Sequence, residues 1–236
     1  MGLYRETGVV LRTIRLGEAD RIVTLLTPGR GKVRAVAKGV RKTKSKFGAR
    51  LEPTSHVALL LYEGRELDIV TQAESVEQFR VIREDLDRLG RATSLLEAVD
   101  QLAQERQGHP RLYEMLVGAL RALSARDAPL LVPGFFLKVL ALEGYHPVLD
   151  GCASCASPGP LVAFELVEGG ALCRSCARGP RISEAALELV RAILGGALGA
   201  ALDRPADDAT DEVDRLATRA LEQHLERRLR SVHLIA

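Results

Sequence analysis

The chain has four cysteines, and they fall as two C-x2-C pairs, Cys152 with Cys155 and Cys173 with Cys176, separated by a seventeen-residue insert that reads as a small hairpin. This spacing constrains the middle of the chain more than any other feature. A C-x2-C knuckle turns tightly enough to aim two thiolates at one ion, and two knuckles supply the four soft ligands of a tetrahedral zinc. Four thiolates close the coordination shell, whereas a catalytic zinc keeps one position open for water. One structural Zn2+ per chain is therefore expected, stapling a subdomain. The alternatives are two disulfides, which need an oxidising compartment that nothing else in the sequence supports, or four buried free thiols.

Residues 1–21 carry Arg5, Glu6, Arg12, Arg15, Glu18 and Asp20, which leaves no apolar core for a signal peptide, and Gly2 lacks the Ser or Thr that a myristoylation motif wants where Glu6 stands. The longest apolar stretches, at 130–142 and 192–202, are too short to span a bilayer. A cytoplasmic protein with no membrane partner is the expectation.

With 236 residues there is room for one large domain or for two to three small ones. The formal net charge is only +2, but it is unevenly placed: residues 1–50 hold thirteen Lys or Arg against Glu6, Glu18 and Asp20, a balance of +10, which leaves −8 for the rest. A basic head on an acidic body suits a module that meets a polyanion, joined to one that serves as scaffold or meets partners.

Residues 7–75 show alternation rather than a helical period. Five strands are expected, at 8–15, 21–27, 32–37, 56–62 and 67–71, with Pro28-Gly29-Arg30-Gly31 as the tightest turn. Five strands in this length suit a small closed barrel of the OB-fold type, with an SH3-like barrel as the other option. From Leu86 the spacing becomes helical. Leu86, Leu89, Leu95, Leu96, Val99 and Leu102 form one stripe, and Leu112, Met115, Leu116, Ala119, Leu120 and Leu123 a second. A third helix opens around Pro133 and stops at Gly144. After the cysteine segment, a fourth is capped by Ser183 and ends at Gly195-Gly196, and a last one starts near Thr210. The expected fold class is thus multi-domain α+β. An OB-fold nucleic-acid-binding domain at 1–80 is followed by a helical domain at 81–236, into which the zinc-binding insert 150–180 is set.

Strand alternation puts Lys32, Arg34, Val36 and Lys38 on one face of the third strand and Val33, Ala35 and Ala37 on the other. Cations spaced by about 6.6 Å form a comb suited to a phosphate backbone. The strand runs into a basic segment bounded by Gly39 and Gly48, which carries Arg41, Lys42, Lys44, Lys46 and then Arg50. The expected DNA-binding residues are Lys32, Arg34, Lys38, Arg41, Lys42, Lys44, Lys46 and Arg50. Phe47 and Tyr62 are the aromatics near enough for base stacking, each equally suited to a core. Binding is therefore expected to be led by the backbone and tolerant of sequence.

Enzyme signatures are missing. Gly29 to Val33 lacks the spacing of a phosphate loop, and His56, His109, His146, His224 and His233 fit no zinc-protease or triad pattern. The pairs Glu18 with Asp20 and Asp85 with Asp87 read as turn and helix-start residues. The arginines of the last helix, Arg215, Arg219, Arg227, Arg228 and Arg230, partly complement its dipole and otherwise await a polyanion or an acidic peptide.

Taken in order, Gly31-Lys-Val-Arg34, then Ala37-Lys38-Gly39-Val40-Arg41, the helix end Leu142-Glu-Gly144-Tyr145-His-Pro147, Asp150-Gly-Cys152 and the two knuckles resemble the bacterial DNA repair protein RecO family over nearly the whole chain. The resemblance implies an N-terminal OB-fold, a helical domain and, in members with the cysteines, a zinc-stabilised insert. It implies a recombination mediator that uses no nucleotide, binds single- and double-stranded DNA, and anneals complementary strands coated by single-strand binding protein. It further implies action with RecR to load the RecA recombinase. The competing expectation from the residues is a zinc-ribbon RNA-binding protein of translation or ribosome assembly, and a nuclease is a third.

Overall fold

The computed structural model describes residues 2–231. The chain divides into two compact units, one taking in the residues through Ala125 together with Arg230 and Ser231, the other Arg126–Leu229.

In the first unit, β1 (Leu3–Leu16), β2 (Asp20–Thr27), β3 (Gly31–Ala37), β4 (His56–Tyr62) and β5 (Asp68–Glu77) close into a barrel with strand order β1-β2-β3-β5-β4. Closure comes from the first half of β1, which pairs antiparallel with β4 from Leu3 opposite Tyr62 to Val9 opposite His56. The short β3–β5 contact is parallel, and the other pairings are antiparallel. Sequence alternation locates the strand centres but makes β1 and β5 too short. Residues 3–7 are mostly polar, and they join the barrel through backbone hydrogen bonds that leave no apolar signature.

Val10, Val23, Leu25, Val33, Ala35, Val57, Leu59, Leu61 and Val70 fill the interior. Phe47 and Leu51 join them from the β3–β4 connection, where a single 3-10 turn spans Gly48–Leu51. At the β2–β3 turn, Gly31 has φ of +60° and lies so close to the Gln107 carbonyl that a Cβ would sit 1.9 Å from its oxygen, so only glycine fits.

The helices α1 (Arg80–Glu84), α2 (Leu86–Leu102) and α3 (Pro110–Ala125) belong to this same unit. Asp85 caps α2 by accepting from the amides of Asp87 and Arg88 at 3.0 and 3.1 Å. Leu95, Leu96 and Val99 are buried as expected. Leu86 is not: at the first helical position it is 82% exposed, because the apolar stripe starts a turn later. Backbone bonds from Lys32 N to Gln104 O (3.0 Å) and from Arg106 N to Lys32 O (3.2 Å) bind the segment after α2 to β3. His56 on β4 meets the Tyr113 hydroxyl on α3 at 2.6 Å.

The second unit contains α4 (Leu131–Leu142), the hairpin β6 (Leu161–Glu165) and β7 (Gly170–Cys173), α5 (Glu184–Leu194), α6 (Leu198–Ala201) and α7 (Asp208–His224). The apolar α4 packs against both α5 and α7, burying Phe135, Phe136, Leu137, Val139 and Leu140. It stops at Gly144, with φ of +92°, through Gly144 N to Ala141 O (3.1 Å) and Tyr145 N to Leu140 O (2.8 Å). Ser183 caps α5 by accepting from Ala186 N at 3.2 Å. The last helix begins earlier than its apolar spacing suggests. Asp207 and Thr210 form a capping box, each side chain accepting the other's amide at 2.9 Å, so Thr210 lies in the first turn rather than at its start. Among the described residues no helix is long and apolar enough to cross a membrane.

Candidate nucleic-acid interface and metal centre

The outer face of β3 carries the side chains that alternation assigns to it, and two of the three cations of the comb, Lys32 and Arg34, have protein partners. Lys32 Nζ donates to the Asp100 carbonyl oxygen at 2.5 Å and lies 3.5 Å from that residue's carboxylate, while Arg12 from β1 reaches the same carboxylate at 2.6 Å. Arg34 pairs with Glu105 at 3.7 Å, and its Nε is buried without a hydrogen-bond partner among the described residues. The end of α2 and the segment after it lie along this part of β3, so Lys32 and Arg34 face protein before they face solvent. Lys38, two residues past Val36, is exposed.

The basic segment between β3 and β4 is anchored rather than loose. Gly39 N donates to the Asp20 carboxylate (2.7 Å), Arg41 N donates to Ala19 O (2.9 Å), and the Arg41 guanidinium reaches Glu18 O (2.8 Å). These bonds hold the segment to the β1–β2 turn. At its other end Lys46 Nζ donates to Thr71 O on β5 (2.8 Å) and stands 5.0 Å over the Phe47 ring, while Arg50 returns to the Lys46 and Phe47 carbonyls at 2.9 and 3.3 Å. Phe47 belongs to the core, so of the two aromatics considered for stacking only Tyr62 is on the surface.

Arg41, Lys46 and Arg50 thus shape the loop, while the side chains of Lys38, Lys42 and Lys44 have no hydrogen bond or ion pair among the described residues. Arg15, exposed on β1 opposite Arg21, adds a cation at the end of the barrel where β1 turns into β2. Its place at a strand end beside Gly17 is the signal that could have singled it out. The arrangement offers exposed ammonium groups on an anchored loop, suited to phosphates and indifferent to base sequence.

Two further groups in this unit are built for structure. Asp68 is almost fully buried and accepts from the Tyr4 hydroxyl, Gly64 N (2.9 Å) and Arg106 (3.4 Å), while Arg30 stacks 3.9 Å over the Tyr4 ring. Burial first, then the bond to Asp68, raises the Tyr4 phenol well above its ordinary range. Burial lowers the His56 ring, with Glu77 opposing and Arg121 reinforcing the shift. His233 lies outside the described residues.

In the second unit the four cysteine Sγ atoms all lie within 4.8 Å of one another, and Cys155 and Cys173 are 3.7 Å apart. A tetrahedral ion with metal–sulfur bonds of about 2.3 Å has edges of about 3.8 Å, so the donor set fits a thiophilic cation. The hairpin β6–β7 carries Cys173 at its end and brings the second knuckle to the first. Hydrogen bonds from the Cys173 amide, then from those of Cys155 and Ser154, pull Cys152 down to about 6. Bonding with the Cys155 and Cys173 side chains pushes Cys176 up to about 12. Thiolates packed this closely repel one another, and a bound divalent cation removes that repulsion. The four cysteines can hold a metal ion.

A closed five-stranded barrel with this strand order and a parallel β3–β5 contact is an OB-fold, here followed by helices and a four-cysteine cluster. Family models place it more narrowly. Residues 1–79 match Recombination protein O N terminal, and residues 83–233 match Recombination protein O C terminal. The chain belongs to the recombination protein O family, a family of DNA repair and recombination mediators that bind DNA.

Proposed function

We propose that this protein is a non-enzymatic recombination mediator that binds single- and double-stranded DNA through its barrel and basic loop. It brings complementary strands together without nucleotide and, with RecR, helps load RecA onto DNA coated by single-strand binding protein. The observation that carries this reading is the set of cations at Lys38, Lys42 and Lys44, whose side chains have no partner among the described residues and which a loop pinned at both ends holds beside the barrel. Two DNA strands repel through their phosphates, and cations that screen one strand lower the cost of approach of the other. Arg34, Arg41, Lys46 and Arg50 add to the field at the same face, and Lys32 contributes from its locked position. The ion held by Cys152, Cys155, Cys173 and Cys176 is zinc, in a closed structural site. The protein works in the cytoplasm, at the nucleoid.

The test mixes complementary strands precoated with single-strand binding protein, adds this protein without ATP, and follows duplex formation. Acceleration is expected, and Lys38→Glu with Lys42→Glu should remove most of it. Tight DNA binding with no acceleration would reduce the protein to a general DNA binder. Failure to bind DNA, with binding to folded RNA instead, would favour a role in translation or ribosome assembly.

A further inference from the structure

The four cysteines differ in access. Each knuckle presents one buried cysteine and one that reaches the surface: Cys152 and Cys173 are 2% and 6% exposed, while Cys155 is exposed and Cys176 partly so. Cys152 is also held in place, since its sulfur accepts from the amides of Cys173, Cys155 and Ser154. Metal coordination keeps all four as thiolates, and susceptibility to oxidation follows thiolate character and exposure. Cys155 is therefore the sulfur that a small oxidant meets first.

The backbone decides which sulfur can answer it. Cys155 Sγ lies 3.7 Å from Cys173 Sγ, which is contact distance for two sulfurs. Cys173 ends β7, and β7 is tied to the first knuckle without help from sulfur. Ala153 N donates to Ala171 O at 2.8 Å, and just before the knuckle Val148 N donates to Gly169 O at 2.8 Å while Val148 O accepts from Ala171 N at 2.9 Å. Cys176 has no such tie. Its amide returns to Cys173 O at 3.1 Å, and among the described residues no backbone bond joins it to the first knuckle.

We infer that Cys155 is an oxidant-sensitive modification site, at which a hydroperoxide converts the cysteine cluster into a Cys155–Cys173 disulfide across the two knuckles. This rests on the reading of the cluster as a closed zinc site. The Cys155 sulfur attacks a peroxide oxygen: an S–O bond forms, the O–O bond breaks, and hydroxide departs, taking a solvent proton to become water. The Cys173 thiolate then attacks the sulfenic sulfur of Cys155, so that an S–S bond forms, the S–O bond breaks, and a second hydroxide leaves as water. Two thiolates give two electrons to one peroxide, which takes up two protons. Cys152 and Cys176 then supply half a coordination shell and do not retain the ion. The disulfide spans the same two knuckles as the ion does, so the hairpin stays fastened, and a thiol reductant returns both sulfurs to the cluster. The lobe thus has two fastened states, one with zinc and one without.

The test treats the full chain, loaded with zinc, with hydrogen peroxide. Released zinc is followed with a colorimetric chelator, and cysteines are mapped by mass spectrometry after digestion with a glutamate-specific protease. Cleavage after Glu143, Glu165, Glu168 and Glu184 puts the knuckles on separate peptides, 144–165 and 169–184, and a further tryptic cut after Arg174 tells Cys173 from Cys176. Zinc and two thiols should be lost together, with the peptides joined through Cys155 and Cys173 and with Cys155 the first cysteine trapped by dimedone as a sulfenic acid. Hydrogen exchange over residues 161–173 should remain slower than in the chelated, reduced chain by about tenfold or more. Dithiothreitol with added zinc should restore the starting protein. A disulfide confined to one peptide, a link to Cys176, or oxidation that leaves the zinc in place or ends irreversibly at sulfinate overturns the inference. So does a hairpin that exchanges in the oxidised chain as fast as in the chelated one. Failure of the underlying reading looks different: the reduced chain supplied with zinc would hold none before any peroxide is added, which overturns the inference along with it.

Discussion

Lys32 donates its ammonium to the Asp100 carbonyl oxygen at 2.5 Å while standing 3.5 Å from the Asp100 carboxylate, so a cation of the basic head is used to fasten β3 to the end of α2. Both side chains are mostly buried, at 17% and 13% exposure, and the contact is therefore little screened by solvent. Lys32→Ala leaves the carboxylate with Arg12 alone. It should cost about 1 to 3 kcal/mol, the range for a hydrogen bond to a charged group. A lower urea midpoint at unchanged slope checks this, and DNA affinity should change less than for substitutions in the loop. A variant as stable as the parent would mean that the fastening contributes nothing.

The loop cations invert that pattern. The side chains of Lys42 and Lys44 have no partner among the described residues, so replacing both with Glu should leave the melting temperature within about a degree of the parent. Each lost phosphate contact lowers the slope of log affinity against log salt for single strands by about 0.7, so the pair should lower it by about 1.4. Titrations at a series of salt concentrations measure the slope directly. An unchanged slope would place the phosphate contacts elsewhere.

These two cases show what was legible in the sequence. Alternation correctly assigned Lys32 and Arg34 to the outer face of β3, because backbone geometry alone decides it. It could not show that the end of α2 lies across that face, since Asp100 is far away in the chain. Phe47 sat in a basic, glycine-bounded segment with no periodicity, so nothing marked it as core. The cysteine site was the opposite case, since a C-x2-C knuckle is local and its spacing already carries the geometry. The short helices α1 and α6 were missed because a single turn has too few residues to show a period.

Acid should weaken the first unit through His56. The ring lies near Tyr113 and Arg121 of α3 and Glu77 of β5, with Nε2 at the Tyr113 hydroxyl and Nδ1 3.7 Å from the Glu77 carboxylate. Burial holds its pKa below the ordinary histidine value. The folded protein therefore binds this proton less readily than the unfolded chain does. The stability contribution is complete above about pH 6.5 and is lost as the pH falls toward the folded value, at no more than about 1.4 kcal/mol per pH unit. The Glu77 carboxyl, lowered first by its bond to Arg121, acts in the same direction only below about pH 4.5. Urea midpoints at pH 7.5 and 5.5 should diverge for the parent and diverge less for His56→Gln, which can still meet Tyr113. Equal divergence in the two proteins would remove His56 as the cause.

Metal removal should separate the two units in their response. The cysteine cluster joins residues 152–155 to the end of β7, and the lobe around it has a small core of Leu161, Ala163, Phe164 and Leu172. A core of that size does not fold a hairpin unaided, so the coordination bonds supply much of its local stability. In small zinc peptides that contribution is about 10 to 16 kcal/mol, and here part of it is carried by the packing of α4, α5 and α7. Chelation, or Cys155→Ser with Cys176→Ser, should raise hydrogen exchange across residues 150–180 by orders of magnitude while β1–β5 keep their protection. Elemental analysis of the purified protein should give one zinc per chain. Loss of protection in the barrel as well would mean that the metal stabilises the chain as a whole. A metal-free protein with an ordered hairpin would mean that the four thiols need no ion.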